Sequence, residues 1–126
     1  MAMDIQRIRA EVTRATATFA LVGVYPTSDG GVYVKAGLQT SVGKAYVAAI
    51  YFPNYPNQTP KVYITDPPLL ASPHKYNDGT ICYIHPSLWN PGIHDLTFVL
   101  GRTAKWLNKY EVYRVKGYWP GAGLKH

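Results

Sequence analysis

The chain has 126 residues, 47% of them hydrophobic, with thirteen Lys and Arg against seven Asp and Glu, a formal net charge of +6. This size and apolar content fit one domain with a full core and argue against global disorder. The longest apolar run, over residues 19–25, is far shorter than the ~20 residues of a membrane helix, so we expect a cytoplasmic protein without a membrane partner. The basic residues are scattered and no nucleic-acid motif accompanies them, so they favour an acidic protein partner over nucleic acid.

The first elements in chain order are a helix and a short strand. Ile5, Ile8 and Val12 recur at helical spacing and predict a helix over residues 3–17. The apolar run 19–25 predicts a first, well-buried strand. The helix is predicted from the spacing of its apolar residues, and the strand from a short apolar run that Pro26 closes.

Three further segments predict an antiparallel meander. Apolar and polar residues alternate over residues 32–39, as in a half-buried strand. Two more β-rich runs cover residues 44–52 and 61–65. Between these two runs, the dense prolines of residues 52–60 exclude a helix or a central strand and predict a rigid surface loop.

The second half of the chain combines an irregular segment with a helix. Residues 66–92 show no sustained periodicity but carry five prolines and the single cysteine, Cys82. An irregular stretch of this length inside a small domain is typically functional. Helical spacing resumes over residues 95–112, with Asp95 as the predicted N-cap, and a basic tail follows at about 114–126. The predicted fold class is α+β, with a sheet of about four strands between an N-terminal and a C-terminal helix.

Cys82 is the first candidate for chemistry. It excludes an internal disulfide because it is the only cysteine. A turn at Asn77–Gly79 places it just beyond a bend. His74, His85 and His94 are the histidines nearest in sequence, and although each taken alone is more often structural, their grouping around the cysteine makes them candidates for the same site.

The motifs around Cys82 resemble those of the ubiquitin-conjugating-enzyme (UBC) superfamily. Residues 55–62 read Tyr-Pro-Asn-Gln-Thr-Pro-Lys-Val, residues 78–82 read Asp-Gly-Thr-Ile-Cys, and residues 89–91 read Trp-Asn-Pro. Their order and spacing follow the family pattern over residues 31–112. Within this superfamily, the chain resembles the short stand-alone bacterial members found in antiphage (CBASS-like) or ubiquitin-like conjugation operons.

The resemblance implies a single UBC-like domain over residues 1–126 and a cysteine acyl transferase. Cys82 would carry a protein modifier, or the C-terminal glycine of a partner protein, as a thioester and pass it to an amine. The implied partners are an activating enzyme and a cyclic-nucleotide-producing synthase, and no cofactor or metal is implied. Free cysteine has a pKa of about 8.5, so a modest thiolate fraction is expected, which Lys75 or a protonated His74 or His85 could enlarge.

The chain departs from the family eight residues before the cysteine. The family has His-Pro-Asn there, and its asparagine is thought to support the loop and the oxyanion during amine attack; this chain has Ser72-Pro73-His74. A neutral imidazole N–H can also donate a hydrogen bond, so His74 is the predicted substitute. His85 is a further candidate for support, and Asp95 could orient the attacking amine or serve only as a helix cap. One C-terminal helix is expected instead of the family's usual pair.

Three alternatives use the same residues. The first is a non-catalytic UBC-fold module that binds a modifier or partner. The second is a zinc site formed by His74, Cys82, His85 and His94. The third is a Cys-His hydrolase in which His94 is the base.

Overall fold

The computed structural model describes residues 3–121. The elements are α1 (Ile5–Ala15), β1 (Leu21–Pro26), β2 (Val32–Gln39), β3 (Ala45–Tyr51), β4 (Lys61–Asp66), a 3₁₀ turn (Pro86–Leu88) and α2 (Leu96–Lys116). The strands form one antiparallel sheet in the order β1-β2-β3-β4. The predicted α+β class, with a four-stranded meander between two helices, is confirmed.

Side-chain caps determine where both helices begin. The Asp4 carboxylate accepts a hydrogen bond from the amide of Arg7 at 3.0 Å, and the Asp95 carboxylate accepts one from the amide of Phe98 at 3.0 Å. Each bond satisfies an amide that has no partner inside the helix. Gly117, with a φ of +83°, ends α2 in the left-handed conformation that glycine adopts without strain. Within residues 3–121 neither helix is long and apolar enough to cross a membrane.

The core lies between the inner face of the sheet and the two helices. The alternation predicted for β2 is confirmed, because Val32, Val34, Ala36 and Leu38 are all buried. From α2, Leu100 and other apolar residues at helical spacing complete this core.

Two sequence expectations were wrong in detail. β1 is not well buried: Leu21 is 71% exposed and Tyr25 is 43% exposed, because β1 is an edge strand that pairs only with β2. The second helix continues to Lys116, beyond the predicted end at residue 112, so the start of the expected basic tail is the last turn of α2. Residues 122–126 of that tail lie outside the described residues.

One buried carboxylate joins the three segments that surround the irregular region. Glu11 of α1 is 1% exposed and forms an ion pair with Arg7 at 2.5 Å. It also accepts hydrogen bonds from the hydroxyl of Tyr55, in the proline-rich loop, and from the amide of Leu96 at 2.9 Å, at the start of α2. Arg7 in turn donates to the carbonyl of Pro91 at 2.8 Å. Glu11 therefore fixes the loop and the first turn of α2 relative to α1.

Candidate active site

Cys82 lies at the end of a folded loop between β4 and α2. A bridge between Lys75 and Ile81 brings the two arms of the loop together, and Gly79 turns the chain with a φ of +91°. The amide of Cys82 then donates to the carbonyl of His74 at 2.8 Å. The position of the cysteine just beyond a bend, in the irregular segment, agrees with the prediction. The same hydrogen bond places His74 beside it.

The thiol of Cys82 is buried and forms hydrogen bonds with Tyr76 and Ile84. Its residue is 3% exposed. The hydroxyl of Tyr76 donates to Sγ at 3.3 Å, and the thiol donates to the carbonyl of Ile84 at 3.6 Å. Burial raises the pKa of the Cys82 thiol, while the Tyr76 hydrogen bond and the positive charge of Arg102 act in the opposite direction. The thiolate fraction at neutral pH is therefore smaller than the sequence suggested. The cation whose charge lowers the pKa of the thiol is Arg102 of α2.

A cavity of about 40 Å³ adjoins the thiol. Three of its lining residues are cations of α2, two are tryptophans, and the remainder belong to the loop: Arg102, Lys105, Lys109, Trp106, Trp119, His74, Cys82 and Tyr83. Trp119 lies beyond the end of α2 and packs against Trp106, with ring centroids 5.1 Å apart. The cavity is thus lined by both cationic and aromatic side chains.

His74 occupies a backbone conformation that few residues adopt. Its φ is +59°, in the left-handed region. Its carbonyl accepts hydrogen bonds from the amide of Cys82 and from Nε1 of Trp106, the latter at 3.2 Å. Burial, followed by the charge of Lys109, lowers the pKa of the imidazole, so the ring is neutral at neutral pH. Asparagine tolerates the left-handed region better than most residues, so the family's asparagine fits this backbone as well.

The other three candidate residues make contacts within their own segments of the chain. Nδ1 of His85 accepts a hydrogen bond from the amide of Ser87 at 3.2 Å, at the start of the 3₁₀ turn. Asp95 caps α2, and the ring of His94 stacks on Phe98 at 4.0 Å. None of the three candidates lines the cavity beside Cys82. Of the four candidates, His74 is the one that lines the cavity together with Cys82.

This arrangement bears on two of the alternatives. Among residues 3–121, no group of three or more His, Cys, Asp and Glu side chains is placed to hold a metal ion. The zinc alternative therefore has no support from the described residues. The hydrolase alternative needs His94 beside Cys82, and its ring lies against Phe98 instead.

A larger groove of about 490 Å³ is lined by the proline-rich loop and by the neighbours of Cys82 in the chain, Ile81 and Tyr83. Two hydrogen bonds shape it: Nε1 of Trp89 donates to the carbonyl of Pro56 at 2.8 Å, and the hydroxyl of Tyr83 donates to the carbonyl of Pro60 at 2.6 Å. Tyr76 lines the groove and reaches Sγ with its hydroxyl. Prolines and aromatic rings of this kind suit an extended peptide.

Sequence reasoning missed the residues that α2 and the chain beyond it bring to the site. Arg102, Lys105 and Lys109 recur at helical spacing, which is a readable signal for a cationic face. Nothing in that spacing shows that the face meets the cysteine loop. For Trp119 and Tyr76 no comparable signal exists.

Solved structures with a similar fold include two UEV domains. A complex of the Vps23 UEV with ubiquitin is 18% identical, covers 83% of this chain and 84% of that chain, and has a TM-score of 0.58. The yeast Vps23 UEV domain in complex with a Vps27 PSDP peptide is 14% identical, covers 98% and 87%, and has a TM-score of 0.59. UEV domains are UBC-like folds, so the expected fold is confirmed.

Sequence comparison identifies the family. No curated protein shows significant similarity to the chain. The model of the type II CBASS E2 protein family matches residues 11–126, from α1 through the cysteine loop and α2. The resemblance to short bacterial UBC proteins of antiphage systems is therefore confirmed. The chain belongs to the family of type II CBASS E2 proteins and is a UBC-like protein of CBASS.

Proposed function

We propose that the protein, acting as a single UBC-like domain, carries an acyl group as a thioester on Cys82 and transfers it to an amine. The observation that carries this proposal is the position of the only cysteine, in the segment that bears the family motif: it lines the cationic cavity, and its neighbours Ile81 and Tyr83 line the peptide-sized groove. The acyl group is a protein modifier or the C-terminal glycine of a partner protein. An activating enzyme supplies it, and a cyclic-nucleotide-producing synthase is the proposed partner.

The chemistry has two steps. The Cys82 thiolate attacks the carbonyl carbon of the donor thioester, a new C–S bond forms, and the donor sulfur leaves as a thiolate. An amine then attacks the same carbon and loses a proton, the C–N bond forms, and the Cys82 thiolate leaves. Tyr76 and Arg102 favour the thiolate form that both steps require, against the effect of burial.

His74 is the proposed source of a hydrogen bond in the second step. His74 lines the cavity beside Cys82, and the lowered pKa of its imidazole keeps the ring in the neutral form, which has one N–H donor. Such a donor stabilises the oxyanion that forms when the amine attacks. His85 and Asp95 act on the site by holding the 3₁₀ turn and the first turn of α2 in place.

The test uses a peptide benzyl thioester that ends in glycine, which replaces the unidentified donor and its activating enzyme. We expect an increase in intact mass by one peptide, reversed by excess dithiothreitol. The rate should still rise with pH above the ordinary thiol pKa of about 8.5, because burial raises the pKa of Cys82. A chain that stays unmodified under conditions where iodoacetamide alkylates Cys82 would contradict the proposed function.

Substitution of His74 tests its part in discharge. Because φ is +59° at this position, alanine would introduce strain, and glycine is the cleaner deletion of the side chain. We expect His74→Gly to form the thioester but to discharge it to free lysine about 100- to 1,000-fold more slowly, the usual loss for one oxyanion donor. His74→Asn, which restores the family residue, should discharge at a rate close to that of the wild type. Single-turnover discharge measures both variants, and an unchanged rate for His74→Gly would remove the residue from the chemistry and leave His85 as the next candidate.

The second candidate function is a non-catalytic binding module. The 3% exposure of Cys82 favours it, as does the groove of about 490 Å³. The two UEV domains of similar fold were solved with ubiquitin and with a PSDP peptide. Binding of a partner without any thiol-reversible adduct would select this alternative.

A further inference from the structure

Three positively charged residues that line the Cys82 cavity form a cationic row on one face of α2. Arg102, Lys105 and Lys109 are spaced three and four residues apart, as neighbours on a helix surface are. None of the salt bridges within residues 3–121 involves them. Nε of Arg102 donates to the carbonyl of Tyr83 at 3.0 Å, which holds the guanidinium beside the residue that follows the cysteine.

Among residues 3–121, no side-chain carboxylate lines the cavity to balance this charge. The acidic residues all lie elsewhere and none lines the cavity: Asp4, Glu11, Asp29, Asp66, Asp78, Asp95 and Glu111. Glu111, also on α2, is occupied by Tyr46 and Arg114. The described residues that line the cavity therefore present a net positive charge to whatever reaches the thiol.

The size of the cavity limits the anion that fits. A volume of about 40 Å³ leaves room for about three water molecules, which is the scale of a carboxylate group and too small for a nucleotide. Trp106 and Trp119 also line the cavity. Their apolar surface lowers the local dielectric constant, so a carboxylate is attracted more strongly there than on an open surface.

We propose that this cationic row selects acyl donors whose C-terminal segment carries Asp or Glu a few residues before the residue linked to Cys82. The inference rests on the proposed function and names its substrate class. The seven-residue separation from Arg102 to Lys109 corresponds to about 10 Å along the helix, the reach of about three extended residues. A carboxylate two to four residues before the linked glycine thus meets Lys105 or Lys109 when the glycine is at the thiol.

The test compares two peptide benzyl thioesters of equal length that end in glycine. One carries Asp and Glu at the second and fourth positions before the glycine, and the other carries Asn and Gln there. At low salt we expect the acidic peptide to acylate Cys82 about 10-fold faster, and we expect this advantage to shrink at high salt, because exposed charges are then screened. The double variant Lys105→Gln, Lys109→Gln should lose most of the advantage. Lys35→Gln, on the outer face of the sheet, is the matched control and should keep it.

A second readout separates this inference from the proposed function. Fluorescence anisotropy of the labelled peptides as free acids measures binding without chemistry, and the same preference and the same loss in the double variant are expected. Equal acylation rates and equal binding of the two peptides overturn the inference and leave the function standing. Preferential binding of the acidic peptide with no adduct from either thioester supports the cationic row and counts against the acyl transfer.

Discussion

Replacing Cys82 with alanine is expected to abolish the acyl adduct and to leave the fold intact. The adduct requires Sγ, and no other cysteine can substitute for it. The loss of one buried sulfur and of its contact with Tyr76 should cost about 1 kcal/mol of unfolding free energy, as an average substitution does. Intact-mass spectrometry after incubation with the peptide thioester measures the first effect, and circular dichroism with thermal unfolding measures the second.

Cys82→Ser is the sharper companion variant. A serine hydroxyl that accepts the acyl group forms an ester, which dithiothreitol does not reverse and hydroxylamine cleaves. We expect little acylation of this variant, because the hydroxyl is a far weaker nucleophile than the thiolate, and any adduct should show that change in chemical sensitivity. An adduct of wild-type yield on Cys82→Ala would place the acyl group on another residue and make the assignment of the nucleophile wrong.

Replacing Glu11 with alanine is expected to destabilise the protein by about 2–5 kcal/mol, a large share of the usual 5–15 kcal/mol of a small domain. The change leaves the hydroxyl of Tyr55 and the amide of Leu96 without their buried acceptor, and it removes the partner of Arg7. Because the same carboxylate fixes the proline-rich loop and the start of α2, acylation of Cys82 should fall as well. Urea unfolding gives the free energy, and the thioester assay gives the activity.

Two controls make the Glu11 prediction specific. Glu11→Gln keeps an acceptor oxygen for Tyr55 and Leu96 and should lose about 1–2 kcal/mol, chiefly from the charge. Asp29→Asn changes a carboxylate in an exposed turn, where substitutions usually stay within about 0.5 kcal/mol. If Glu11→Ala unfolds at the same urea concentration as the wild type, the buried contacts of Glu11 do not hold these segments together.

The sequence by itself predicted the elements and the family, and it singled out one candidate nucleophile. The alternation over residues 32–39 predicts one buried face of a strand whatever its neighbours are, and the side chain of Asp95 caps the helix that begins beside it. The sequence also singles out Cys82 as the candidate nucleophile, because it is the only thiol and lies within an ordered set of motifs. These features depend on residues close together in the chain, so their physics is local.

Only the tertiary structure decided what surrounds that atom. An apolar run such as residues 19–25 reads the same in an edge strand as in a central one, so the exposure of β1 follows from its place in the sheet. The hydrogen bonds of Glu11 with Tyr55 and Leu96 connect residues 44 and 85 positions apart, and no local pattern specifies such pairs. The cationic face formed by Arg102, Lys105 and Lys109 reaches Cys82 because α2 packs across the core and its rotation about its own axis is set there. The packing of α2 depends on contacts between residues distant in sequence, and it places this helix face in the lining of the candidate active site.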